Sequence, residues 1–189
     1  MTHYSLVLFL HITAVLALCA ALSLEVLSLH RLRRASTLTD VRRWLQPVPG
    51  LPLLTVGSAL VIFLSGIYLA MRMSAFELAW PKVSIGALLL IAPFGAITGK
   101  RIRAIRQVCT QTKALNSELT TRLQDPFLKV SLGIRTAVFL GIVLLMSAKP
   151  ELWESITIVV ASGGLGLLSS LLFWRRTGFL SVPDSDLGD

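Results

Sequence analysis

Residues 4–29, YSLVLFLHITAVLALCAALSLEVLSL, run for 26 positions with no Lys, Arg or Asp and with one His and one Glu. A helix rises about 1.5 Å per residue, so about 20 apolar residues cross a hydrocarbon core of about 30 Å. In lipid every backbone N–H and C=O needs an internal partner, so such a segment must be helical. It does not alternate apolar and polar positions as a membrane barrel strand would. Met1–Ser5 carries no Lys or Arg, and the run is too long for a leader's apolar core, so it reads as a retained span.

Four more segments have the same character: 51–71, 83–99, 128–147 and 155–174. The composition agrees. The 189-residue chain is 54% apolar and only 15% charged, with a mean hydropathy of +0.74. A water-soluble domain carries about a quarter charged residues, and a disordered chain far fewer apolar ones. Cys19 and Cys109 lie in different environments and have no metal-type spacing, so neither a disulfide framework nor a zinc module is indicated.

The net charge of +8 sits between the apolar blocks. Arg31, Arg33, Arg34, Arg42 and Arg43 follow the first span, and Lys100, Arg101, Arg103, Arg106, Lys113, Arg122 and Lys129 follow the third. Arg175 and Arg176 follow the fifth, whereas the other side receives only Arg72, Lys82 and Lys149. With five spans the positive-inside rule places the N-terminus outside and the C-terminus in the cytoplasm. The basic loops then face anionic lipids, and nucleic acid is not the implied partner. Trp44, Trp80, Trp153 and Trp174 fall at span edges, where headgroup anchors belong. Pro47, Pro49, Gly50 and Pro52 break the chain before the second span, Asp125–Pro126 caps the fourth, Pro150 stops it, and Pro93 is expected to kink the third.

These features predict an all-α polytopic membrane protein: one bundle of about five transmembrane helices over 1–177. Within 100–125 a basic segment with Ile102, Ile105, Cys109, Leu119 and Leu123 near helical period lies on the membrane surface or extends the third span. The acidic tail 178–189 is expected to be disordered.

Ionisable groups inside spans are costly and so are candidates for function. There are three: His11, Glu25 and Arg135. His11, Ala14, Leu18, Ala21 and Glu25 form one stripe, whose small members favour packing into the bundle. Glu25 sits about 6 Å and Arg135 about 10 Å from the same membrane face, depths that suit an intramembrane ion pair. That pair either fixes packing or lines a path through a small permease, unless each side chain snorkels separately to the interface. His11 and Met146 lie towards the opposite face and are candidates for a soft metal such as copper, or for haem axial ligation. A hydrogen bond from His11 across helices is the simpler alternative. All three histidines (His3, His11, His30) belong to the first span or its ends, so two of them cannot clamp a haem between helices of one chain. Ser162, Gly166 and Ser170 repeat every four residues and mark a close-packing face, towards this chain, a second copy or a membrane partner protein. No phosphate loop, nucleophile elbow, HExxH or dinucleotide fingerprint occurs, which favours a binding protein over an enzyme.

Leu10-His11-Ile12 with Ala14-Val15 resembles the opening helix of the CopD-like group of small bacterial membrane proteins, related to the HemJ-type protoporphyrinogen oxidases. Ser65-Gly66-Ile67-Tyr68-Leu69-Ala70, then Trp80, then Ala92-Pro93-Phe94-Gly95-Ala96 and Lys100-Arg101 are similar to an uncharacterised branch of that group. The likeness covers roughly residues 4–106. It implies a helical, multi-pass protein of a bacterial inner membrane in which His11 matches the first-helix histidine of haem- or tetrapyrrole-handling members. The membrane lysine of the oxidase branch has no clear counterpart, since Lys100 stands at a helix end.

Overall fold

The computed structural model describes residues 3–33, 35, 37–45, 50–111, 121, 123 and 125–177. Among them there is no strand. The elements are α1 (His3–Arg33), α2 (Leu38–Leu45), α3 (Leu51–Arg72), a 3₁₀ turn (Ala75–Glu77), α4 (Ala79–Gln111), α5 (Pro126–Ala148) and α6 (Leu152–Thr177). All but α2 and the 3₁₀ turn, five helices in all, are long and apolar enough to cross a membrane. The protein is therefore an all-α, multi-pass membrane protein. The expected tail 178–189 lies outside the described residues.

Local chemistry sets the helix ends. Pro52 occupies the first turn of α3, where a missing N–H is harmless. Asp125 caps α5, its carboxylate accepting from the Phe127 amide at 2.9 Å, and also pairs with Arg101 of α4. Lys149 closes α5 in a left-handed conformation (φ 50°), its amide donating to the Leu145 carbonyl at 2.9 Å. Three residues then suffice to turn the chain into α6.

The third span is far longer than the 83–99 read from hydropathy. α4 continues through Pro93 and on to Gln111, so the basic segment up to that point extends the span. The described members of its apolar stripe turn into the protein. Ile105 and Cys109 pack with Leu32 of α1, Val41 of α2, Leu123 and Leu128, and Trp44 and Ile102 close the cluster. α2 was not expected: it is a short amphipathic helix whose Val41 is fully buried. Arg42 ties it to α4 by donating to the Cys109 carbonyl at 3.2 Å.

The chain forms two groups of helices. α1 packs chiefly on α3, while α4, α5 and α6 pack on one another. The groups meet in a central cluster of Ala14, Leu18 and Leu22 (α1), Ile62 (α3), and Leu132 and Phe139 (α5). Phe9, Leu16, Leu53, Leu60, Leu90 and Leu172 point outward, the reverse of a water-soluble core and a surface suited to lipid tails.

The Ser162, Gly166 and Ser170 face is used within the chain. It meets Gly133, Ala137 and Gly141, a matching four-residue repeat on α5. A Cβ on Gly166 would stand 2.6 Å from the Gly133 carbonyl oxygen and 2.8 Å from the Ala137 Cβ. A Cβ on Gly141 would stand 2.5 Å from Ser162 Oγ, so the two backbones are nearly in contact.

Candidate functional site

Two polar centres lie between the helix groups, one towards each end of the bundle. The first is built on the α1 stripe. His11, Ala14, Leu18 and Ala21 are all buried, as their three- and four-residue steps require of one helix face. His11 Nδ1 lies 2.8 Å from Ser65 Oγ of α3. The Ser65 hydroxyl in turn donates to the Val61 carbonyl one turn back. A serine has a single hydroxyl proton and a carbonyl can only accept. The Ser65 hydroxyl thus stands between His11 Nδ1 and the carbonyls of its own helix. Gly66 makes room for the ring, since a Cβ there would touch His11 Cε1 at 3.4 Å.

His11 lines a cleft of about 230 Å³ between the helix groups, near the N-terminal end of α1. Ile62 and Phe63 of α3, Trp80, Ser84 and Leu88 of α4, and Phe139, Ile142 and Met146 of α5 contribute to its wall. The Tyr4 hydroxyl reaches Met73 Sδ at 3.5 Å across residues that border the cleft. None of its lining residues is Asp, Glu, Lys or Arg. Four buried side-chain polar atoms lack a hydrogen-bond partner among the described residues: Trp80 Nε1, Ser84 Oγ, Arg106 Nε and Thr136 Oγ1. Two of them, Trp80 and Ser84, belong to this cleft. Both atoms are themselves closed off from the open volume, so they lie behind the wall rather than on it.

Sequence reasoning places Trp80 at a span edge, and it stands in the first turn of α4, but that reasoning gives no site role to Ser84 or Ser65. Trp80 reads as a headgroup anchor, but its indole nitrogen is buried and its ring forms part of the cleft. The four-residue step from Trp80 to Ser84 puts both on one face of α4, which was the available signal. Trp153, by contrast, is 79% exposed at the start of α6, as an anchor should be.

The second centre joins Glu25 of α1 to Arg135 of α5. Arg135 Nη1 lies 3.0 Å from Glu25 Oε2, and the two side chains are 8% and 14% exposed. Thr55 Oγ1 of α3 lies 3.0 Å from the other carboxylate oxygen. The guanidinium rests on Gly95 of α4, where a Cβ would come within 3.5 Å of Arg135 Cζ. Four helices thus meet at one ion pair. Next to it Thr98 and Ser131 share a 2.8 Å hydrogen bond, and Ser131 also reaches the Phe94 carbonyl at 3.2 Å. A small cavity of about 40 Å³ touches Glu25, Ser28 and Thr98. The central apolar cluster separates this centre from the His11 cleft.

His11 and Met146 line the same cleft. A neutral imidazole nitrogen and a thioether form a donor pair suited to a soft metal or to haem axial ligation. Among the described residues no group of three or more His, Cys, Asp or Glu side chains converges. Comparison with protein-family models, with curated proteins and with solved structures gave no match.

Proposed function

We propose that the protein is a membrane-embedded binding protein that takes an uncharged ligand into the His11 cleft. The observation that carries this is the cleft itself, about 230 Å³ of space between the helix groups with an apolar wall that includes His11 and Met146. Ligand sites are apolar concavities with a few convergent polar groups, and this cleft has that character on a small scale. The resemblance of its first helix to CopD-like proteins points to the same histidine. In this reading the chain lies in a bacterial inner membrane with its N-terminus outside. The cleft then opens towards the outer half, and the basic ends of α1 and α4 meet anionic cytoplasmic lipids. The Glu25–Arg135 pair, closed by Thr55 and Gly95, serves to hold the two helix groups together rather than to line a path.

The test is mass spectrometry of organic extracts from the full chain purified in mild detergent, alongside Leu88→Trp, which fills the cleft. A small molecule present near one per chain, and lost in a folded Leu88→Trp protein, is the expected result. An equal amount in both proteins would remove the cleft from consideration.

The shared placement of His11 and Met146 favours a second reading, a copper or haem site. There His11 Nε2 and Met146 would be the ligands, and the bound group would supply redox chemistry. An absorption spectrum and metal analysis decide it. A Soret band or stoichiometric copper lost in both His11→Ala and Met146→Leu would place this reading first.

A further inference from the structure

The open space of the His11 cleft is bounded almost entirely by hydrocarbon. Of its polar side chains, Trp80 Nε1 and Ser84 Oγ are closed off from that space, and the Tyr4 hydroxyl is turned to Met73 Sδ. His11 Nδ1 is met by Ser65 Oγ at 2.8 Å, whichever of the two donates. No Asp, Glu, Lys or Arg lines the cleft. What enters is therefore recognised by its shape and its apolar surface.

The shape is a slot along the helices. Its lining runs from Tyr4 to Val15 on α1 and from Met73 back to Ile62 on α3, each about 16 Å at 1.5 Å per residue. Tyr4, Met73, Trp80 and Met146 stand at the helix ends, while Val15, Ile62 and Phe139 close the far end as part of the central cluster. One leaflet's half of a hydrocarbon core of about 30 Å is about 15 Å. The slot thus reaches from the edge of the apolar layer to its middle, the depth that an acyl chain fills. It also opens sideways onto the lipid-facing surface, because Leu8, Met73 and Val143 border it and are exposed. An apolar cavity of about 150 Å³ already takes benzene in place of water. At about 230 Å³ the cleft has room for a slender hydrocarbon and falls below the 300–1,000 Å³ or so of sites for drug-sized ligands.

We infer that one acyl chain of a glycerophospholipid from the adjoining leaflet occupies the cleft, its methyl end against Val15 and Phe139 and its headgroup left at the interface. The inference rests on the binding reading above and names the uncharged part that enters. A bilayer lipid reaches this position by moving sideways. Its headgroup keeps its water and its other chain keeps its place, which sets it ahead of a free fatty acid arriving from solution.

The experiment places the full chain in vesicles of phosphatidylethanolamine and phosphatidylglycerol, with a small fraction of phosphatidylethanolamine carrying a diazirine on one palmitoyl chain. In one probe the diazirine lies beside the ester, in the other beside the methyl end. Illumination and peptide mass spectrometry locate the labelled residues. The methyl-end probe is expected on Val15, Phe63 and Leu88, and the ester probe on Tyr4, Met73 and Met146. Lipid that merely surrounds the protein labels the outward Leu60, Leu90 and Leu140. A folded Leu88→Trp protein should lose the label on Val15 and Phe63 and keep that on Leu60. Val15→Trp, filling the cleft from the α1 wall, serves the same purpose if Leu88→Trp does not fold.

Label confined to outward residues, with an extracted molecule still lost in Leu88→Trp, would overturn the acyl chain and leave the cleft as a binding site. Label confined to outward residues with an empty extract would overturn both readings. Label on Val15 and Phe63 that persists in the filled variants would overturn the inference, since the chain would then lie elsewhere. Cleft label from free diazirine-palmitic acid, with none from either phospholipid probe, would overturn the phospholipid as its source.

Discussion

Arg135 of α5 holds Glu25 of α1 at 3.0 Å across the boundary between the two helix groups, although the residues are 110 positions apart in the chain. Both side chains are nearly withdrawn from solvent, and removing one partner strands the other's charge. Breaking a buried pair in this way typically costs about 3–5 kcal/mol, whereas replacing both members by apolar or neutral groups costs much less. Arg135→Ala is expected to lower the thermal midpoint in detergent sharply, and the double variant Glu25→Gln with Arg135→Met to recover much of the loss. Additive losses in that cycle would show that the two charges act independently.

The α5–α6 contact predicts opposite outcomes for two glycines two residues apart. Gly166→Leu drives side-chain atoms into the Gly133 carbonyl and Ala137, and overpacking of that kind costs about 1–3 kcal/mol or more. A Cβ on Gly164 meets nothing within 4 Å, so Gly164→Ala should be neutral or stabilising by up to about 1 kcal/mol through helix propensity. Thermal unfolding of the two variants, followed by monodispersity on a sizing column, checks the pair.

Asp125 has two duties, which separate by substitution. Asp125→Asn keeps a side-chain oxygen for the Phe127 amide and loses the charge facing Arg101. Asp125→Ala loses both. The cap alone is worth about 1 kcal/mol. The Ala variant should therefore be the less stable of the two by about that amount, and equal midpoints would assign the whole effect to the ion pair.

Orientation can be read by cysteine labelling in a background with Cys19 and Cys109 replaced. Ser74→Cys and Glu151→Cys lie on the turns at the cleft end of the bundle and should react with a membrane-impermeant maleimide in intact cells. Arg103→Cys at the basic end should react only after lysis. The reverse pattern would invert the topology and turn the cleft towards the cytoplasm.

The five spans were legible because lipid makes length and apolarity decisive, and the inward stripe of α1 because its small and polar residues step at helical spacing. Matched depths alone set Glu25 opposite Arg135. The end of α4 was not legible, since basic residues stop a hydropathy window without stopping a helix. α2 was missed for a related reason. Leu38–Leu45 is short and polar, and what secures it is Val41 meeting Ile105 and Cys109 from far along the chain. The cleft was least legible of all. Ser65 and Ser84 look like any serines in a span, and their meaning depends on which helices stand apart. The partner of the Ser162, Gly166 and Ser170 face was left open because Gly133, Ala137 and Gly141 were not recognised as its counterpart.

The separation of Glu25 from Arg135 also sets an order of events at the ribosome. At about 5–20 residues per second, Arg135 emerges roughly 5–20 s after Glu25, while Thr55 follows Glu25 by only 30 residues. A newly inserted α1–α3 hairpin thus carries an acidic group with one hydroxyl for company and no countercharge. During that interval the hairpin must hold Glu25 near the interface or under the shelter of the insertion machinery, and arrival of α5 supplies the countercharge that lets the first half of the protein settle into place.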